Sequence, residues 1–209
     1  MVRGAVVTGN SPVVHEDVVF DEGFVGATLD GASFVRCDFR GVDLRELRTR
    51  GCRFDTCLMA NADLSGSDHD GSAFTNCDLR GAVLSTAVFR RCKLTGSDLT
   101  DARLLALQVD GGDWSYVNLR GQDLKGRDLR GVAFVEADLS GADLTDATLV
   151  DCDFSRAVLR QVTFDGADLR GAVLDGAQID DVTLRGATID LRMAVALAEY
   201  RGAIVDTSG

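Results

Sequence analysis

His15 and His69 are the only histidines in the chain, and Asp68 and Asp70 stand on either side of the second. An imidazole among carboxylates is a combination that acid–base catalysis and metal binding both use. Cys37, Cys52, Cys57, Cys77, Cys92 and Cys152 add six thiols, each a candidate nucleophile, metal ligand or disulfide partner. All of these chemistries need convergence. A catalytic histidine requires a positioned nucleophile or proton-transfer partner, and a metal requires several ligands aimed at one point. The chain has no CxxC pair to supply such convergence locally. The answer therefore depends on the backbone that carries these residues.

That backbone repeats every five residues. In "FVEADLSGADLTDATLVDCDF", from Phe134 to Phe154, each fifth position is large and apolar. From Phe24 to Ile189 the same register covers 34 positions, of which 32 hold Leu, Phe, Ile, Met, Val or Trp, and only Thr49 and His69 depart. Nine of the ten Phe residues lie on it. Helix and strand faces recur at about 3.6 and 2 residues, so neither explains the spacing. A small residue stands two places before each large one, as at Ala137 and Ala142. Asp often stands one place before it, and Gly often two places after. Such a unit turns two side chains inward and three outward, and copies must stack to bury what one cannot.

Six of the aromatics in the central slot, Phe34, Phe54, Phe74, Trp114, Phe134 and Phe154, are separated by multiples of 20. Four five-residue sides per coil would bring these rings into one column at the roughly 4.8 Å spacing of adjacent strands. The expected fold is an all-β, four-sided solenoid. Numbered in chain order, its first side is centred on Leu44, Leu64 and Leu144. The second carries Thr49 and His69, the third Phe34 and Phe54, and the fourth Phe39, Leu79 and Leu99. The chain divides into an N-terminal segment 1–16, the repeat 17–190 and a C-terminal part 191–209.

On this backbone every cysteine falls in the small inward slot, where a thiol packs as a small hydrophobe. Cys37, Cys57 and Cys77 recur on one side of successive coils, near enough in principle for a bridge, but packing in a reducing compartment is the expectation. Thr49 and His69 become neighbours in adjacent coils, with Asp68 and Asp70 pointing outward. The expectation is a local polar pair or an outward bulge rather than a catalytic or metal site. The run "LLALQVDGG", residues 104–112, puts Leu105 outward and the oversized Leu107 in a small slot; Gln122 and Arg127 are also too large for theirs. Distorted sides and an exposed apolar patch are expected there.

The formal net charge is −11, from 33 acidic and 22 basic residues. Such a chain is repelled by nucleic acid and anionic membrane. The excess is uneven, with net −4 on the first side, −1 on the second and third, and −3 on the fourth, which leads directly into the first. The first side carries Asp43, Glu46, Asp63, Asp123, Asp143, Asp146 and Asp165. The fourth carries Asp98, Asp101, Asp138, Asp180 and Asp181. These form a candidate acidic stripe for a protein partner. No apolar run reaches a membrane span and the N-terminus lacks a signal-peptide core, so a cytoplasmic location is expected. After the repeat, Asp190 is suited to N-cap a helix over Leu191–Tyr200, with Gly202 as its stop. Leu191, Met193, Ala194, Val195, Leu197 and Ala198 give it a wide apolar surface, a candidate dimerisation face.

The tandem Ala-Asp-Leu-x-x units, over about residues 17 to 190, resemble the pentapeptide repeat proteins, which form right-handed quadrilateral β-helices. The unbroken repeat, the terminal segment "IDLRMAVALAEYRGAIVD" and the acidity resemble further the quinolone-resistance branch, the MfpA and Qnr types. That resemblance implies a rod-shaped homodimer that occupies the DNA-binding saddle of DNA gyrase, imitates DNA and protects the enzyme from fluoroquinolones. About 8 coils at roughly 4.8 Å give a rod of about 40 Å. Duplex DNA of that length carries about 24 charges, so the imitation would rest on a stripe rather than on matched charge density.

Three functions compete: a gyrase-binding protein, a non-catalytic scaffold with another partner, and an enzyme. Solenoid acyltransferases use a six-residue period, a catalytic histidine and inserted loops, and this chain has neither that period nor a long insertion. The expectation is a binding protein without catalysis, cofactor, metal or small-molecule substrate.

Overall fold

The computed structural model describes residues 13–206. Pro12 and most of the N-terminal segment 1–16, together with residues 207–209 of the C-terminal tail, lie outside the described residues. The fold is a parallel β-solenoid closed by one short helix. Its pairing advances by a constant step of 20, as in Ser33↔Arg53, Arg53↔Ala73 and Asp43↔Asp63. Four five-residue sides therefore make one coil.

Backbone chemistry sets this geometry. The central residue of each unit donates its N–H up to the next coil, as Leu64 N does to Val83 O at 2.8 Å. The residue before the centre donates down, as Val83 N does to Ala62 O at 2.9 Å. At most corners the chain turns through a bond from the next inward residue, such as Ala142 N to Leu139 O at 2.9 Å, with Gly141 at φ 71°. Glycine recurs at this position because it enters the left-handed region without a Cβ clash. The register leaves Leu144 and Ala142 with no exposed surface, and burial of one such leucine contributes about 1.5–3 kcal/mol.

The aromatic column forms as the spacing predicts. Phe34 and Phe54 stack at 4.8 Å, Phe54 and Phe74 at 4.7 Å, and Phe134 and Phe154 at 5.3 Å. Trp114 stands edge-on to Phe134, with centroids 6.3 Å apart. Phe20, the one phenylalanine outside the register, is also buried, stacked on Phe39 at 4.6 Å. The first coil is one residue short there, since Val19 pairs with Asp38 and His15 with Phe34. The ladder thus reaches back to Val14–Glu16, and His15 stacks on Phe34 at 5.1 Å.

Among the described residues the ladder is interrupted once. Strand Gln108–Asp110 is the last of its sheet, and no bridge joins Arg103 to Asp123 among the described residues. On the third and fourth sides the coils stay joined, through Gly112–Asp113 against Val132–Ala133 and Asp98 against Asn118. The distortion expected around residues 104–112 is therefore a gap open on the first and second sides. Leu105, at its edge, is 71% exposed.

Helix α1, Leu191–Tyr200, closes the last coil. The Asp190 carboxylate accepts from Met193 N at 2.9 Å and from Gly171 N at 2.7 Å, so one side chain caps the helix and ties it to the solenoid. No helix among the described residues is long and apolar enough to cross a membrane.

Candidate protein-interaction surface

His69 and the six cysteines all lie buried in the core. His69 has no exposed surface, and its Nδ1 lies 2.8 Å from Thr49 Oγ1. Thr49 Oγ1 lies 2.8 Å from Ser72 Oγ, and His69 Nε2 lies 2.9 Å from Ser67 Oγ. Ser72 Oγ also accepts from Cys52 N at 3.2 Å and donates to Asp70 O at 3.4 Å. Burial pushes the His69 pKa down to about 3. The pair is a closed polar knot inside the core, and Asp68 and Asp70 turn outward toward Arg90 and Arg91.

All six cysteines are buried and free. Most donate Sγ–H to the backbone carbonyl 23 residues earlier: Cys57 to Phe34 O at 3.4 Å, Cys77 to Phe54 O at 3.4 Å, Cys152 to Leu129 O at 3.0 Å. Burial pushes the Cys92 thiol up to about 11 and the Cys152 thiol up to about 12. Protonated thiols of this kind are poor nucleophiles and poor metal ligands.

The surface chemistry lies in the carboxylates. The aspartate before each central residue has a local structural task. Its Oδ1 accepts from the backbone N–H two residues on, as Asp63 does from Ser65 at 2.9 Å and Asp98 from Thr100 at 2.9 Å. The same Asx-type turn occurs at Asp43, Asp123, Asp138 and Asp143. It recurs with the repeat and stacks like charges on neighbouring coils, as in Asp43↔Asp63, Asp78↔Asp98 and Asp123↔Asp143. Like charges directly opposite are destabilising.

Cations neutralise part of this array. Arg45 pairs with Asp43 at 2.6 Å, Arg120 with Asp138 at 3.0 Å, Lys125 with Asp143 at 3.0 Å and Arg160 with Asp180 at 3.5 Å. Burial would raise the Asp138 and Asp143 carboxyls, but their hydrogen bonds and cationic neighbours prevail and hold both below the usual range. Glu46, Asp63, Asp98, Asp101, Asp123, Asp146, Asp165 and Asp181 have no ion pair among the described residues. They are the carboxylates free to meet a partner.

Four of these free acids have no turn to explain them. Glu46, Asp101, Asp146 and Asp181 occupy corners at φ 57°, 56°, 57° and 55°, a conformation that glycine takes at about half of the corners. A non-glycine residue in the left-handed region costs roughly 1–2 kcal/mol. Asp101 and Asp181 stand where the fourth side meets the first, and Glu46 and Asp146 where the first meets the second. The structure thus brings the sequence-derived acids onto two adjoining faces. The gap beside Leu105 divides them into an N-terminal and a C-terminal group.

At the C-terminal end Met193 is 2% exposed and Leu197 packs on the core, so both face their own solenoid. Leu191 is 81% exposed, and Ala194, Val195 and Ala198 are half-buried. Beside them open two shallow clefts, one between Leu174, Ile179 and Tyr200, the other between Leu184, Leu197 and Arg201. Sequence reasoning missed Ser67 and Ser72 as partners of the Thr49–His69 pair. Their signal was available, since both are hydroxyls in small slots next to the two polar central residues.

Comparison with known proteins agrees with this geometry. Residues 27–104 match a model described as pentapeptide repeat region, and residues 115–151 and 152–189 match one described as pentapeptide repeats. The stretch between them carries one edge of the gap in the ladder, Gln108–Asp110. No curated protein matches the sequence. Among solved structures, full-length QnrB1, a plasmid-mediated fluoroquinolone resistance protein, superposes with a TM-score of 0.79 at 23% identity, over 91% of this chain and 100% of that one. HetL, a pentapeptide repeat protein involved in heterocyst differentiation regulation from the cyanobacterium Nostoc, gives 0.53 at 25% identity, over 84% and 88% of the two chains.

Proposed function

The chain belongs to the pentapeptide repeat family, and from that premise we propose that it is a cytoplasmic, non-catalytic DNA mimic. It binds DNA gyrase, modulates its activity and protects it from fluoroquinolones or related topoisomerase poisons. The observation that carries this reading is the set of unpaired carboxylates on two adjoining faces, including acids at corners where glycine is the less strained choice. An enzyme surface that binds duplex DNA presents cations, and a row of fixed carboxylates on a narrow rod offers them a substitute for phosphates. The likeness to QnrB1 supports the same direction. The protein acts as a homodimer joined at its C-terminal ends, through Leu191, Ala194, Val195, Ala198 and the clefts beside them, while Met193 and Leu197 hold the helix on its own rod.

The test is DNA supercoiling by purified gyrase, with and without the protein, and quinolone-provoked cleavage in the same reactions. Wild type is expected to reduce both. A variant carrying Asp63→Asn, Asp98→Asn and Asp123→Asn keeps the turn acceptors, removes three free charges and is expected to lose the effect. If wild type leaves gyrase untouched, the second reading stands, a scaffold for a different protein partner. The likeness to HetL, a regulatory protein, favours that alternative.

A further inference from the structure

Two long side chains reach across the gap in the ladder. At Cys57, Cys77, Cys92, Ser97 and Cys152 the small inward residue gives its proton to the carbonyl 23 residues back through a short side chain, as Ser97 Oγ does to Phe74 O at 2.7 Å. At the gap the same carbonyl position is reached by longer side chains. Gln122 Nε2 donates to Leu99 O at 2.7 Å, and Arg127 Nη2 to Leu104 O at 3.3 Å. A serine or cysteine there would need closed coils to make the bond. Gln122 and Arg127 make it with longer side chains, at the two sides where the ladder is open.

The consequence is a pair of facing strand edges inside the rod. Among the described residues, Leu104 N, Ala106 N, Val109 N and Gly111 N find no carbonyl on the next coil, and Asp123 N and Asp128 N find none on the previous one. Between the edges on the second side lies an open cleft of about 560 Å³, with Val88, Leu107, Val109, Arg90, Asp110 and Arg127 in its lining. Arg90 and Arg130 are paired with Asp68 and Asp128. Arg127 has no ion pair among the described residues, and its Nε is buried without a hydrogen-bond partner.

We propose that this cleft receives an extended segment of another protein as an added strand, with a carboxylate of that segment on Arg127. Donors and acceptors repeating along a strand edge match a peptide backbone. Val88, Leu107 and Val109 offer apolar surface to its side chains. The guanidinium, already tied by one nitrogen, is set to pair with a carboxylate. Duplex or single-stranded nucleic acid is disfavoured by Asp110 and Asp128 at the cleft and by the net charge of −11. The site lies on the second side and does not depend on gyrase being the partner of the acidic faces.

The experiment is selection from a displayed library of short random peptides against the immobilised full chain. Enriched sequences are expected to carry β-branched residues around an acidic one and, when added as free peptides, to slow hydrogen exchange at Val109 and Gly111. Arg127→Met keeps a long side chain but removes the guanidinium, and is expected to weaken these peptides about tenfold or more. The double variant Gln122→Ala/Arg127→Ala is expected to let the coils close, abolish binding and raise the melting temperature. Thermal melts of Arg127→Met confirm its fold. Failure to enrich any peptide, binding unchanged by Arg127→Met, or binding without protection of those amides would each overturn the proposal.

Discussion

Thr49 Oγ1 and His69 Nδ1, one coil apart on the second side, lie 2.8 Å from each other with no access to solvent. They are the only polar residues in the central column, and they satisfy one another with Ser67 and Ser72. The knot explains how a solenoid tolerates two breaks in its apolar register: the polar atoms find partners along one coil and across to the next.

The same knot makes stability depend on pH. Burial lowers the His69 pKa from 6.5 to about 3 in the folded protein. Between these values the unfolded chain binds a proton that the folded one does not, so stability is complete above 6.5 and falls as pH drops toward 3. The slope is at most about 1.4 kcal/mol per pH unit. Thermal melts between pH 7 and 4.5 should show this loss in wild type and a smaller one in Thr49→Val/His69→Phe. Parallel curves for the two proteins would assign the dependence to other groups.

Adjacent glycines at the gap should respond in opposite ways. Gly112 has φ 114°, and a Cβ there would meet Cys92 O at 2.3 Å. Gly111 has φ 59° and nothing within 4 Å of an added Cβ. Gly112→Ala is expected to destabilise by several kcal/mol, through strain and displacement of backbone. Gly111→Asn should cost less than about 1 kcal/mol, because asparagine tolerates this region. Denaturant melts of the two variants check the contrast.

Charge and turn structure can be separated on the acidic faces. Asp138 and Asp143 accept backbone bonds from Ser140 and Thr145, at 2.9 and 3.0 Å. Reversal to lysine therefore removes a turn acceptor together with the charge. Asp138→Asn/Asp143→Asn should melt within about 1 kcal/mol of wild type, whereas Asp138→Ala/Asp143→Ala should lose about 1 kcal/mol per site. Corner acids differ. Asp101→Gly and Asp146→Gly should stabilise slightly while weakening partner binding, measured by the supercoiling assay.

Helix α1 offers two substitutions with different expected outcomes. Met193→Asp buries a charge against the last coil and should lower the melting temperature. Leu191→Asp, on an exposed position, should leave the melt unchanged and convert a dimer to a monomer in sedimentation equilibrium. A wild-type monomer at micromolar concentration would remove the dimer from the proposed function.

The five-residue register and the multiples of 20 between aromatics were sufficient to fix a four-sided coil, because ladder pairing is a main-chain property that repeats with the sequence. The cap at Asp190 and the helix Leu191–Tyr200 were legible for a similar reason, since capping depends on neighbours within one turn. The inward cysteines were legible too, because slot decides burial. Which carboxylates stay free was not. Asp43 finds Arg45 two residues away, whereas Asp138 finds Arg120 and Asp143 finds Lys125 on the preceding coil, 18 residues back. A long side chain chooses among partners along and across coils, and that choice exists only once the coils are stacked. The gap beside Leu105 shows the same division. Oversized Leu107, Gln122 and Arg127 signalled a distortion, but whether the core would bulge, or the ladder would part on two sides and hold on the other two, was decided by how three bulky groups from two coils share one interior.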